Sequence, residues 1–295
     1  MPISHLFLAL LVVLIWGINF IFVKWGLDEI SPLLLCALRF LLASVPAVFF
    51  IKPPAVPFRI IAAYGLVMFA LQFALLFIGM QVGMTPGMAS LLMQVQVFFS
   101  IFFAVIFIGE TPTVGQLIGA LVSFSGIGLV AMHFDSNVSF LGFLFIMGAA
   151  ATWGIGNLIT KKIKTTHLIS VIVWGSFIAC FPMFLLALIF EGTGSFSYTY
   201  EHLSWKGCMS LAYIVYISTW IGYGVWNWLI SRYPVGMIVP FTLLVPVVGM
   251  LSSILVLGES FQLWKLVAGL LVISGLCINI ISTRFFMAKT LPETA

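Results

Sequence analysis

The chain has 295 residues, of which 63% are hydrophobic and 7% charged, and its mean hydropathy is +1.25. Soluble domains carry roughly 25% charged residues, so water cannot be the solvent for most of this surface and lipid must take its place. The formal charge of +4 reflects anchoring residues in loops and is no sign of nucleic-acid binding.

A helix needs about 20 mostly apolar residues to cross the hydrocarbon core. Ten stretches qualify, approximately 6–25, 31–51, 59–79, 85–108, 113–132, 140–160, 168–190, 207–230, 235–257 and 263–283. No basic leader and no small-residue cleavage site precede the first, which therefore reads as a retained helix rather than a signal peptide. It carries Trp16-Gly17, then Asn19 and Lys24. The second span holds Arg39, a charge well inside a membrane segment. Insertion there costs about 2.5–3.5 kcal/mol at a helix centre, so Arg39 either holds a substrate carboxylate or pairs structurally with helix-end carbonyls or a carboxylate.

Gln72 lies in the third span, and Gln94 and Gln96 in the fourth. On one continuous α-helix Gln94 and Gln96 are about 200° apart, so both are not expected at one cavity. Gln94, on the face of Ser90, is the favoured one. The fifth span has the small-residue stripe Gly115, Gly119 and Gly126, echoed by Ala268 and Gly275 in the tenth. Such stripes let helices approach closely where lipid supplies no hydrophobic drive, so these two spans read as braces.

The sixth span repeats the first: Trp153-Gly154, then Asn157 and Lys161. Asn19 and Asn157 read equally as solute ligands and as interhelical glue. The connection 191–206 is the longest. In the eighth span Tyr213, Tyr216, Trp220, Tyr223 and Asn227 recur every three or four residues, within about 80° of arc on an α-helix. That stripe suits a cavity wall able to hydrogen-bond; ordinary packing and an interfacial aromatic belt are the competing readings. Pro240 and Pro246 interrupt the ninth span and mark a hinge or a packing kink.

Lys52, Arg59, Lys161, Lys162, Lys164, Arg232, Arg284 and Lys289 fall on the side of the termini, against Lys24, Lys206 and Lys265 opposite. The positive-inside rule then puts both termini in the cytoplasm. No carboxylate lies mid-span, so no buried acidic proton relay is visible. His5, His133, His167 and His202 lie in loops or at span ends, which argues against an intramembrane enzyme. Cys36, Cys180, Cys208 and Cys277 have no metal-ligand spacing. No catalytic residue, cofactor or metal is expected.

Pairs of residues recur at one constant offset: Gly87-Met88 with Gly236-Met237, Gly109-Glu110 with Gly258-Glu259, and Ser125-Gly126 with Ser274-Gly275. Five spans is an odd number, so a second copy enters the membrane upside down, a device for alternating access. The expected architecture is an all-α membrane protein of ten transmembrane helices in two inverted five-helix repeats around a central cavity. The first repeat covers 1–134, the second 139–286, and 287–295 form a cytoplasmic tail.

The chain resembles the EamA-type transporters of the drug/metabolite transporter superfamily. The resemblance spans the whole chain and rests on WGINF (16–20), LRF (38–40), ASLLMQVQVFFSI (89–101), IGE (108–110), WGIGN (153–157), IGYGVWNWLISRYP (221–234), LLVPVVG (243–249) and LGE (257–259). The Q-x-Q-x-F-F run, GYGVWNWL and LLVPVVG together are similar to bacterial exporters of cysteine-pathway metabolites. The resemblance implies an inner-membrane carrier of small amino acids (cysteine or O-acetylserine-like), with spans 5 and 10 peripheral. The expected partners are a small-molecule substrate and the bilayer, and oligomeric state is left open. The expected substrate site is Asn19, Arg39, Gln94, Trp153, Asn157, Tyr216, Trp220, Tyr223 and Asn227. Efflux of hydrophobic or cationic drugs is the alternative, disfavoured by the lack of a membrane-embedded acid.

Overall fold

The structure, a computed structural model, describes residues 2–109, 112–133, 138–163, 168–232, 239–260 and 262–290. Among them the regular structure is helical, with one isolated extended bridge between Met84 and Val138. Helix α1 spans Ile3–Leu27, α2 Pro32–Ser44, α3 Phe58–Gln81 and α5 Val114–Ala131. Between the last two, α4 joins Pro86–Leu92 through a 3-10 turn, Met93–Val95, to Gln96–Ile108. Helix α6 spans Phe140–Lys161, and α7 spans Leu168–Leu186 and ends in a π-helical turn, Ala187–Glu191. Helix α8 joins Trp205–Ala212, a π-helical Tyr213–Gly222 and Tyr223–Arg232. Helix α9 is 3-10 over Val239–Leu244 and α-helical over Val245–Leu257, and α10 is Leu263–Thr290.

Seven of these helical runs are long and apolar enough to cross a membrane, and Val114–Val130, Val245–Leu257 and Leu263–Asn279 are shorter apolar helices. Large apolar side chains face outward, among them Phe7, Phe107, Leu121, Phe190, Leu255 and Leu270, while Asn19, Arg39, Gln72 and Gln94 are buried. This is the pattern of a protein solvated by hydrocarbon.

Local chemistry sets the helix ends. Pro32 and Pro86 stand in the first turns of α2 and α4, where the missing N–H costs nothing. Thr113 and Gln116 form a capping box on α5. Helices α4 and α9 both end on a left-handed glycine, Gly109 at φ 75° and Gly258 at φ 67°, a conformation glycine adopts at no steric cost. The connection 191–206 is not a plain loop: Gly192–His202 is a short helix of its own, set off by Gly192 at φ 73°. A glycine in that mirror-image conformation turns the chain sharply before Ser, Thr and Tyr residues resume helix.

Helix α5 packs most extensively on α10. The seam pairs Gly119 with Gly275, Ser123 with Val272 and Gly126 with Ala268, so numbering rises on one helix as it falls on the other. The two helices are antiparallel. A Cβ at Gly119 would sit 2.5 Å from the Gly275 carbonyl oxygen, and one at Gly126 2.9 Å from that of Ala268. Ser123 Oγ donates to the Val272 carbonyl at 2.9 Å.

Other packing pairs come in matched sets. Helix α2 lies on α7 and α4 on α9; α1 touches α8 and α9, and α6 touches α3 and α4. A Cβ on Gly17 of α1 would collide with Val248 at 2.5 Å and meet Gly249, and one on Gly154 of α6 would meet Phe99 at 2.9 Å and Ser100. Phe99-Ser100 and Val248-Gly249 are 149 residues apart, the separation of the Ser123–Val272 pair. The departures from α-helix recur as well. The π segment Gly65–Leu71 of α3 answers Tyr213–Gly222 of α8, and the 3-10 turn of α4 answers that of α9.

Candidate functional site

The irregular segments surround a central cavity of about 90 Å³. That is room for about three waters, the scale of a small metabolite. Helix α1 contributes Trp16, Asn19 and Phe20, α2 contributes Arg39, and α3 contributes Phe73 and Leu76. From α4 come Met93, Gln94 and Gln96, from α6 Trp153, from α8 Ser218 and Tyr223, and from α9 Thr242 and Val245. Among the described residues α5 and α10 supply none of the lining.

Arg39 is 1% exposed. Its guanidinium lies 3.9 Å from the centre of the Phe73 ring, and Nη2 donates to Thr219 Oγ1 at 3.0 Å. The Thr219 hydroxyl in turn donates to the Ile214 carbonyl at 2.8 Å, an i→i+5 reach that matches the π-helical turn holding it. Arg39 Nε and Nη1 and Asn19 Oδ1 are buried without a hydrogen-bond partner. Nearby on α8, the Ser218 carbonyl accepts from Trp16 Nε1 at 3.3 Å, and the Trp16 ring lies 5.2 Å from that of Tyr223. The chamber is aromatic, with one cation and a few neutral amides and hydroxyls. Among the described residues no carboxylate lines it.

Of the residues expected from sequence, the cavity gathers Asn19, Arg39, Gln94, Trp153 and Tyr223. Asn157 stands outside its lining and donates Nδ2 to Gln96 Oε1 at 3.1 Å and to Ser100 Oγ at 2.9 Å, joining α6 to α4. Tyr216 and Trp220 are 47% and 37% exposed and lie away from the cavity; Trp220 Nε1 donates to the Ala43 carbonyl at 3.0 Å. The π-helix divides the stripe: its i→i+5 bonding takes a smaller turn per residue, so a four-residue spacing falls short of one face. Tyr213 stacks on Phe22 at 3.8 Å and donates its hydroxyl to the Ile15 carbonyl at 2.9 Å. The side chain of Asn227 lies outside the described residues.

Gln96 corrects the helical-wheel expectation, because it lines the cavity together with Gln94. The 3-10 turn between them breaks the phase on which the wheel depended. Pattern reasoning also missed Ser218, Thr219 and Thr242, since hydroxyls occur throughout such helices and carry no periodic signal.

A second, open hollow of about 500 Å³ lies at the end of the bundle where α1 finishes, bordered by Lys24, Trp25, Asp28, Met84, Lys206 and Glu259. Three carboxylates tie helix ends together there. Glu29, after α1, accepts from Ser204 N at 2.9 Å and Ser204 Oγ at 2.7 Å, at the start of α8. Glu191 accepts from Ser31 Oγ at 2.5 Å, Leu33 N at 2.7 Å and Leu34 N at 3.1 Å, capping α2. Glu259 accepts from Gly87 N at 3.2 Å, at the start of α4. Each satisfies N–H groups that a helix start leaves open. Burial raises the Glu29 carboxyl, but the Ser204 hydrogen bonds, helped by the charge of Lys206, outweigh it and hold the group below its ordinary value. Glu110, the counterpart of Glu259, lies outside the described residues.

A solved crystal structure shares this fold, with TM-score 0.67 over 97% of this chain and 99% of its own, at 15% sequence identity. The chain is 36% identical over 285 residues to a "Probable amino-acid metabolite efflux pump" of Escherichia coli (strain K12), covering 94% of this chain and 95% of that one. It is 37% identical over 285 residues, with the same coverage, to a protein of the same description from Salmonella typhimurium. The model of the EamA-like transporter family matches residues 3–132 and again 140–281. A multi-pass helical protein with a central chamber and these relatives is a transporter and not an enzyme: the chain belongs to the EamA-like transporter family.

Proposed function

We propose that this protein exports small amino acids or related metabolites, cysteine or O-acetylserine-like, across the bacterial inner membrane by alternating access. Residues 1–134 and 139–286 would be two five-helix repeats of opposite orientation, with both termini and the 287–295 tail in the cytoplasm. The observation that carries this reading is the chamber between the halves, small, aromatic-walled and holding one buried cation. Amino-acid efflux is what the printed descriptions of the E. coli and Salmonella relatives name, and the chamber's size favours a single amino acid over a larger drug.

Alternating access draws support from the matched packing. Two like halves can exchange shapes, opening one midplane site to either side in turn. The antiparallel α5–α10 seam and the recurrence of π and 3-10 segments in equivalent helices suit that exchange, since strained helical turns absorb rearrangement more easily than continuous α-helix. Asn19, Arg39, Gln94, Trp153 and Tyr223 form the proposed substrate contacts, and Asn157 supports Gln96 from behind.

The test is counterflow in proteoliposomes loaded with unlabelled amino acid and supplied outside with labelled cysteine, O-acetylserine, threonine or an aromatic amino acid. Saturable uptake of at least one is the expected result. No uptake of any would end the amino-acid reading, and uptake of hydrophobic dyes in its place would establish drug efflux.

A further inference from the structure

Buried charge in a low-dielectric interior needs a countercharge. Among the described residues Arg39 has none: its hydrogen-bond partner, Thr219, is neutral, and no Asp or Glu lines the chamber. The stacking on Phe73 offsets part of the cost. Nε and Nη1 remain without acceptors, so an oxygen anion that enters meets prepared donors and the missing charge together.

The remainder of the chamber treats a solute differently. Among the described lining residues an ammonium group would find no carboxylate, only aromatic rings and neutral acceptors such as the Gln94 amide, the Ser218 hydroxyl and the unpartnered Asn19 Oδ1. An amide oxygen accepts a hydrogen bond from an ammonium or a hydroxyl alike. Arg39 therefore demands a negative charge, whereas Asn19 Oδ1 asks only for a donor.

We propose that the chamber selects its solute by the carboxylate and reads the 2-substituent only as a hydrogen-bond donor, so that short 2-hydroxy acids are ligands beside the amino acids. This rests on the export reading above and narrows its substrate class to small monocarboxylates. A 2-hydroxy acid neutralises Arg39 without bringing an ammonium that lacks a counterion. It binds at least as tightly as the matching amino acid.

The test uses four compounds of one skeleton: serine, glycerate, serinamide and ethanolamine. Binding to the full-length protein in nanodiscs is followed by tryptophan fluorescence and by thermal shift. Serine and glycerate are expected to bind, glycerate no weaker than serine, and serinamide and ethanolamine roughly tenfold or more weaker. In Arg39→Gln the difference between serine and serinamide disappears, and Arg39→Lys restores part of it. Equal binding of serine and serinamide, no binding of glycerate, or no binding of any of the four overturns the proposal. So does an acid preference that survives in Arg39→Gln. The wild-type series decides alone if that variant does not fold. Carboxylate-selective binding without any transport would instead defeat the export reading and leave this one standing.

Discussion

Arg39 stood out in the sequence because a charge inside an apolar span is costly and therefore rare, and the structure puts it at the chamber wall. Its partner could not be read. Thr219 shares no spacing with Arg39, and hydroxyl residues in membrane helices usually bond their own backbone. Here Thr219 bonds both the backbone and the guanidinium. Thr219→Val should leave membrane abundance intact and raise the KM for transport roughly tenfold, the scale of one hydrogen bond to a charged group; proteoliposome kinetics measure it. At the bundle end, the Glu29 carboxyl is held below its ordinary value of 4.5 in the folded protein. A depressed carboxyl stabilises the fold above that value, and the contribution is lost as pH falls through the lower folded value. Thermal midpoints of wild type and Glu29→Gln should therefore differ at pH 7 and converge as the pH drops below about 4.5.

At the scale of helices, the sequence reading succeeded where α-helix is regular. The glycine stripes of α5 and α10 meet face to face because close approach needs only small residues at helical spacing. Replacing Gly119 by Leu should lower the thermal midpoint in detergent by several degrees, an overpacking cost of about 1–3 kcal/mol. Gly17→Leu and Gly154→Leu, which stand at matching contacts, should each have a similar effect. Where the helix is irregular, α-helical phase no longer tells which side chains share a face. Counting 100° per residue puts Tyr216 and Trp220 with Tyr223, and the π-helical turn undoes that count. Gln96 joins Gln94 at the cavity across a 3-10 turn for the same kind of reason. Neither segment has a composition that marks it: YIVYISTWIG reads as ordinary apolar helix.

Across the whole molecule, the offset between paired residues was visible in the sequence, and it reappears as contact: Gly17 on Val248 and Gly154 on Phe99. The chamber itself was less legible, since which faces converge depends on helix tilt and crossing, which residue spacing does not encode. In the sequence the three carboxylates look like loop acids, because their partners lie 157 to 175 positions away. If the two halves exchange shapes, these ties must part during the cycle. Cysteines at positions 31 and 191, in a background without Cys36, Cys180, Cys208 and Cys277, should cross-link on oxidation. Counterflow should then fall to background and return with reductant. Full transport in the oxidised protein would show that this end does not open.

Ser123 touches Val272, the residue equivalent to itself in the other half. A point that coincides with its own image stays put when the two copies trade places, as the pin of a pair of scissors does. Spin labels beside that pin should report one unchanging distance, while labels on the blades near Ser31 and Glu191 report two. If the halves do trade places, the α5–α10 seam supplies the fixed landmark against which each stroke can be measured.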